Sequence, residues 1–458
     1  MSLRCRRLSP RERRAVAGQK KQHGQALIYG LFVLACGVAA LFFLFNVGQL
    51  ISEKTKLVNT ADAVAYSAGV MQARALNYLA YTNRAIVANE VAIAQVVSLS
   101  SWARYVDDHG RNTATLNCSD PRFSYPTGKG FVKYSPLCSV LFQEYRGGLT
   151  AQQRDAMKVA GETLVRFAEI AKTALSAAQD FVQADLALGR PDVLQEVAGA
   201  NYQDDGDIKV DAIPLRDEYA LFDGKPFVSR YSGKDRKRLA QVVSDSAGRD
   251  EFVRSRHWRD NAILPSECLA MGRLNFDYVD RVGSTQLSGY DDWSASDHVA
   301  LSEHHVRFSK FGVPRCRTSS RDIGNGKQRA SEWGYSGLSS FYDLSDKALA
   351  YSPSNADPKK RDPKPKFVAR ITRAKDQTMT SEARSQVSKT TVLNAYEAKP
   401  AKDLYAAVSG SEVYFDRPRK RADGKTESAS LFNPYWQVRL IDVKAEALAA
   451  WTLQGETP

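Results

Sequence analysis

No charged residue occurs between Gly24 and Ser52, and the segment before that run is densely basic. The apolar heart, Ala26 to Ile51, exceeds the ~20 residues a helix needs to cross ~30 Å of hydrocarbon. Ahead of it lie Arg4, Arg6, Arg7, Arg11, Arg13, Arg14, Lys20 and Lys21, opposed only by Glu12. Basic flanks are retained in the cytoplasm. The run therefore predicts a single-pass span with a cytoplasmic N-terminus and an exported C-terminal domain. A cleaved signal peptide would have a shorter core and a small-residue cleavage site behind it. A lipid-acceptor cysteine is a second alternative, at Cys36 after Val33-Leu34-Ala35, but Gly37 to Val47 stay apolar where a lipoprotein turns polar. The pair Arg6-Arg7 carries little weight as a twin-arginine signal among so many arginines.

The formal net charge is +13, and the basic tail accounts for about half of it. The remainder is spread thinly, which argues against nucleic-acid binding, since that needs a concentrated patch. Cys5 and Cys36 fall in the tail and the span. Cys118, Cys138, Cys268 and Cys316 fall in the exported part, where disulfides form. Four cysteines allow three pairings; the shortest loops join Cys118 to Cys138 and Cys268 to Cys316, and four unpaired thiols remain an alternative. No CxxC occurs, which removes the usual spacing of a zinc ribbon or thioredoxin-like site.

Beyond the span, no proline appears between Pro10 and Pro121, and the composition favours helix. Leu57, Ala61, Val64, Ala68, Met71, Ala75 and Tyr78 recur at alternating spacings of four and three, a helix-packing stripe of mostly small side chains. It suits either the domain's own elements or a partner helix. An unbroken helix from Ala26 to Tyr105 would reach roughly 120 Å; Gly69 or Thr82-Asn83 are the candidate breaks.

Gly24-Gln25-Ala26-Leu27, the apolar span, and then Lys56-Leu57-Val58-Asn59-Thr60-Ala61-Asp62-Ala63-Val64-Ala65-Tyr66-Ser67-Ala68 resemble the N-terminal module of TadE/TadG-like proteins of tight-adherence (Flp) pilus assembly. Ala429 to Leu440 is similar to the C-terminal signature of some members. The resemblance implies a component anchored in a bacterial inner membrane, with a periplasmic C-terminal domain, whose partners are other pilus-assembly or membrane proteins. Prepilins carry a glutamate five residues after the processing glycine; counted from Gly24 that position is Tyr29, which argues against processing into a fibre. Some TadG-type proteins carry a von Willebrand A domain with a DxSxS metal motif. Asp292-Trp293-Ser294-Ala295-Ser296 has that form but follows a turn-like segment, Gln286 to Asp291.

The exported body has two textures. Thr150 to Gly189 reads as a second amphipathic helix, capped by Thr150 and ended by Gly189-Arg190-Pro191. Met157, Ala160, Leu164, Phe167, Ile170, Ala171, Leu175, Ala178, Phe181 and Leu186 are expected on its packing face. From about Pro226, short runs alternate apolar and polar residues, as half-buried antiparallel strands do. These include Arg273–Val279, Phe367–Ile371, Ser411–Phe415 and Trp436–Leu440. Residues 352–366 and 416–428 read as solvated loops.

The predicted fold is α+β: a transmembrane helix running into a long alanine-rich helix, a second amphipathic helix, then a strand-rich antiparallel domain. The boundaries read as a tail at 1–23, a span at 24–52, a post-membrane helix at 53–110, a helical region at 111–224 and the strand-rich part at 225–458. No GxSxG, P-loop or GxGxxG is present. His298, His304 and His305, with Asp297 and Glu303, match no zinc spacing, and on a strand His304 and His305 point to opposite faces. A non-enzymatic protein without cofactor or small-molecule substrate is therefore expected. A minor pilin, or a metal enzyme using Asp297, His298, Glu303 and His304, stands as the alternative.

Overall fold

The computed structural model describes residues 25–115, 148–374, 377 and 404–453, apart from 204, 266–267, 269–271, 273–275, 353, 358–359, 420 and 425–426. Its axis is one helix, α1 (Gln25–Thr115), unbroken at Gly69 and at Thr82-Asn83. The stretch from Leu27 to Ile51 stands exposed and is long and apolar enough to cross a membrane. A second helix, α2 (Ala151–Asn201), returns alongside α1 in the opposite direction: Lys172 lies against Glu90, Gln179 against Asn83 and Tyr202 against Glu53. Thr150 and Gln153 close a capping box at its start.

The helix α2 does not end at Pro191. It runs on to Asn201 although Pro191 cannot donate to the preceding turn. Packing outweighs that loss: Leu194, Ala198 and Tyr202 join Leu57, Ala61, Val64 and Ala68 in a core cluster with Phe367, Ala369 and Ile371. Arg190 bonds Asp217 and its guanidinium lies over the Phe367 ring.

Three sheets then line up along α1. The first contains β1 (Ile208–Val210), β2 (Arg216–Asp217), β9 (Lys366–Ala374), β10 (Leu404–Phe415) and β11 (Trp436–Ile441). Its order is β1-β9-β10-β11, with β2 also on β9 and every pairing antiparallel. A two-stranded ribbon pairs β3 (Val228–Tyr231) with β8 (Phe341–Leu344). The last is an antiparallel four-stranded sheet of β4 (Arg256–Pro265), β5 (Phe276–Ser288), β6 (Asp292–Phe308) and β7 (Pro314–Arg329). Short helices α3 (Lys237–Ala247), α4 (Asp346–Leu349) and α5 (Lys444–Leu453) complete the body. The strands β1 and β2 fall within the region expected to be helical.

Leu57, Ala61, Val64, Ala68 and Ala75 are buried, Met71 is half-buried and Tyr78 is exposed. The sheet that covers the first four is the chain's own. Small side chains matter because the sheet comes very close: a Cβ at Gly69 would lie 2.3 Å from Val438 and 2.8 Å from Ser411 Oγ, and one at Gly326 would lie 2.0 Å from the Ser101 carbonyl. Buried polar groups then pin each strand to α1. Ser411 Oγ donates to the Ala65 carbonyl, Asn77 exchanges two hydrogen bonds with the Trp436 backbone, and Asn83 Nδ2 donates to the Tyr342 and Leu431 carbonyls. Farther along, Ser101 Oγ donates to Asp297 and Gly326, while His109 Nδ1 donates to the Ile323 carbonyl. Thr82-Asn83 is a fastening point for three elements, which is why its polarity does not end the helix.

Cys268 and Cys316 form a disulfide with Cα atoms 5.7 Å apart, and Cys36 is a free thiol on the exposed apolar stretch. Cys118 and Cys138 lie outside the described residues, as does the basic tail.

Two outcomes follow from the packing. Gly69→Leu should lower thermal stability by the equivalent of about 2 kcal/mol or more through overpacking. Gly199→Ala, at an open helical glycine, should leave stability unchanged or raise it; thermal melts of the full chain in detergent check both. Asp343, buried on β8 with Arg238 Nε 3.3 Å away, has its carboxyl pushed up to about 6 by burial. Its native state holds the proton more tightly than the unfolded chain does. Its contribution to stability should therefore fall as pH rises from about 4 to about 6, by on the order of 2–3 kcal/mol. Subtracting urea unfolding curves of Asp343→Asn from wild type across that window reads the slope.

Candidate interaction surface

Two opposite faces of α2 carry seven-residue repeats. The inner one is Val165, Lys172, Gln179 and Leu186, all buried. Lys172 is 1 % exposed; it contacts Glu90 Oε1 at 2.7 Å and Glu169 at 2.6 Å, and donates to the Gly337 carbonyl. Its ammonium lies 4.3 Å from the centroid of the Tyr335 ring. Glu90 is fully buried on α1 and accepts additional hydrogen bonds from Trp293 Nε1 at 3.0 Å and Tyr335 Oη at 2.8 Å. Burial, with Glu90 beside it, raises the Tyr335 phenol, which holds the hydroxyl as a donor. One heptad along, Gln179 Nε2 donates to Thr82 and Asn83, and its Oε1 accepts from the Tyr342 backbone.

These groups pair with one another and with backbone. Their effect is to fix the rotation of α2. A buried Lys–Glu pair contributes little net stability, yet removing one partner strands the other charge at a cost of about 3–5 kcal/mol.

The outer face is apolar and open. Ala160, Phe167, Ala174, Phe181 and Leu188 recur every seventh residue, with Thr163, Ile170, Ala177 and Ala184 between them, and every one is exposed. Phe167 is 72 % exposed and Phe181 71 %. The large side chains Phe167, Ile170, Phe181 and Leu188 are interspersed with the small Ala160, Ala174, Ala177 and Ala184 along this seam, a mix that knobs-into-holes packing can use. The expected packing face of α2 is therefore corrected: Ala160, Leu164, Phe167, Ile170 and Phe181 point outward, while Gly161, Val165, Ala168, Lys172 and Gln179 point inward. The readable signal was the seven-residue spacing of Phe167, Phe181 and Leu188, set against Lys172 and Gln179 on the other side. A polar cleft beside the seam includes Glu169, Lys172, Asp180 and Arg230, but its charges are paired internally, Arg230 with Asp180 at 3.1 Å.

The histidine region is a strand. Asp297 is buried between Arg256 and Arg281, both 3.1 Å away, and accepts from Ser101. His298, on the other face of β6, contacts Asn325 at 3.1 Å and Asp322 at 3.4 Å. Among the described residues no three His, Cys, Asp or Glu side chains converge as metal ligands. In the DxSxS string Asp292 accepts hydrogen bonds from Ser331, and Trp293 is buried against Glu90.

Lys172→Met should destabilise the protein by about 3 kcal/mol or more, because Glu90 is left charged and unpaired. Adding Glu90→Gln should recover a large part of that loss, and denaturant midpoints of the two variants check it.

No curated protein and no solved structure matches the chain. Residues 24–75, from the start of the apolar run through most of the buried small-residue stripe, match the family of putative Flp pilus-assembly TadE/G-like proteins, so this chain carries a TadE/G-like module at the head of α1.

Proposed function

We propose that this protein is a single-pass, membrane-anchored, non-enzymatic component of Flp-type pilus assembly that works by binding other assembly proteins. The observation that carries the reading is the exposed heptad seam on α2, held outward by the buried Lys172–Glu90 pair and by Gln179. The TadE/G-like match over residues 24–75 supports a role in pilus assembly. The basic tail supports a cytoplasmic N-terminus, which leaves the three sheets and α2 in the periplasm. In that compartment the Cys268–Cys316 bond is chemically at home.

The mechanism is mechanical. The apolar stretch anchors the chain, and side chains of α1 hydrogen-bond to all three sheets. The seam offers a partner helix a groove of Phe and Leu knobs separated by alanine holes. Of the two roles open to the small-residue stripe, contact with the chain's own elements is the one its first four members make, against α2 and the first sheet, and the apolar face left open for assembly is the one on α2.

Phe167→Glu combined with Phe181→Glu should abolish or reduce piliation at least tenfold while leaving membrane abundance and melting temperature near wild type, since both rings are exposed. Counting pili on cells that carry the variant measures it. Wild-type piliation would rule out the seam as the working surface.

A further inference from the structure

The far end of the four-stranded sheet carries a second exposed feature that the seam does not explain. The strands β6 and β7 pair out to Phe308 opposite Pro314, and the turn between them is closed by Ser309 N to the Val313 carbonyl and Gly312 N to the Ser309 carbonyl. Gly312 adopts φ 73°, which a side chain rarely tolerates. At this apex Phe308 is 72 % exposed, Phe311 92 % and Val313 54 %. Behind it Arg307, Lys310, Arg315 and Arg317 are exposed, and among the described residues none has an ion-pair partner. No acid occurs in the sequence between Glu303 and Asp322.

The apex points away from the apolar stretch of α1. Along β7, Gln328 bonds Ser100, Gly326 packs on Ser101, and Gly324 packs on His109, so β7 runs outward as its numbering falls. From Ser52 to His109 the helix advances about 85 Å. From Gly324 to Pro314 the strand spans a further 33 Å or so. With Ala26–Ile51 read as the span, the apex lies far beyond the bilayer that holds it. The Cys268–Cys316 bond ties the outer end of β7 back to the segment between β4 and β5, which limits the ordering cost of presenting the tip.

We propose that this hairpin tip docks on an anionic lipid surface other than the membrane holding the span. An apolar apex with a basic collar is the arrangement that inserts at a lipid interface, and each Lys or Arg near such a surface contributes about 1 kcal/mol. At its apex the tip offers three exposed apolar side chains, Phe308, Phe311 and Val313, against the ~20–30 residues a side of a stable protein interface. The chain's own 116–147 segment carries four bases against two acids, so it brings no complementary charge to the tip.

The test uses the full chain with its span held in nanodiscs of neutral phosphatidylcholine, mixed with phosphatidylglycerol vesicles and floated on a density gradient. The wild type should float with the anionic vesicles, release as salt rises, and remain unbound to phosphatidylcholine vesicles. Phe308→Ser with Phe311→Ser, and separately Lys310→Gln with Arg315→Gln and Arg317→Gln, should each weaken flotation at least tenfold without changing the melting temperature. Flotation that survives both sets would overturn the proposal. So would capture of wild type and the Phe variant alike by soluble polyglutamate, with no flotation; that result would assign the tip to an acidic protein or polymer.

Discussion

An unbroken helix of this length can organise three sheets only if something stops each sheet from sliding along it, and the buried polar side chains of α1 supply that restraint. Apolar contact along a stripe of alanines is non-directional and tolerates small shifts in register. Hydrogen bonds do not. Asn77 on the Trp436 backbone, Asn83 on Tyr342 and Leu431, Glu90 on Trp293 and Tyr335, and Ser101 on Asp297 each specify one strand at one turn of the helix. A slip of one turn would leave several of them buried and unsatisfied, at about 1–3 kcal/mol each.

The orientation of α2 depends on the same restraint. Its inner heptad reads Val, Lys, Gln, Leu, so apolar contact and polar fastening alternate along one line. Glu90 and Asn83 on α1 meet the two polar members. The seam on the other side is a consequence of that fixed rotation. The end of α2 next to the apolar stretch is held by a third polar group: Glu53 contacts Arg373 at 3.2 Å and accepts from Tyr202, while Lys56 pairs with Asp205 at 2.5 Å. Lys56 and Arg373 both lie over the Tyr202 ring, and burial against Glu53 raises its phenol.

Much of this fold is written in local patterns. The charge-free run, the proline-free stretch after it, and the alternation in Phe367–Ile371 and Trp436–Leu440 led directly to α1, β9 and β11. What was hidden depends on tertiary context. Pro191 reads as a stop, but Leu194 and Ala198 have a core to enter, so the helix continues. Thr82-Asn83 reads as a break because a lone polar patch gives no sign of the carbonyls that meet it. The apolar residues of α2 were assigned to one face because composition cannot say which of two stripes finds a partner within the chain; buried Lys172 and Gln179 decided it. The hairpin tip lay unmarked inside the strand-rich part, since the exposure of Phe311 follows from where β6 and β7 leave the body.

The outward face of α2 should meet its partner in the assembled state. Photocrosslinking residues placed singly at Phe167, Ile170, Ala174, Phe181 and Leu188 in living cells should capture one partner protein. Lys158, Glu162 and Asp185, exposed or half-exposed on the same helix but off the seam, should capture it weakly or not at all. Crosslinks that follow the seam's spacing are the predicted result; equal capture at all eight positions, or at none, would contradict it.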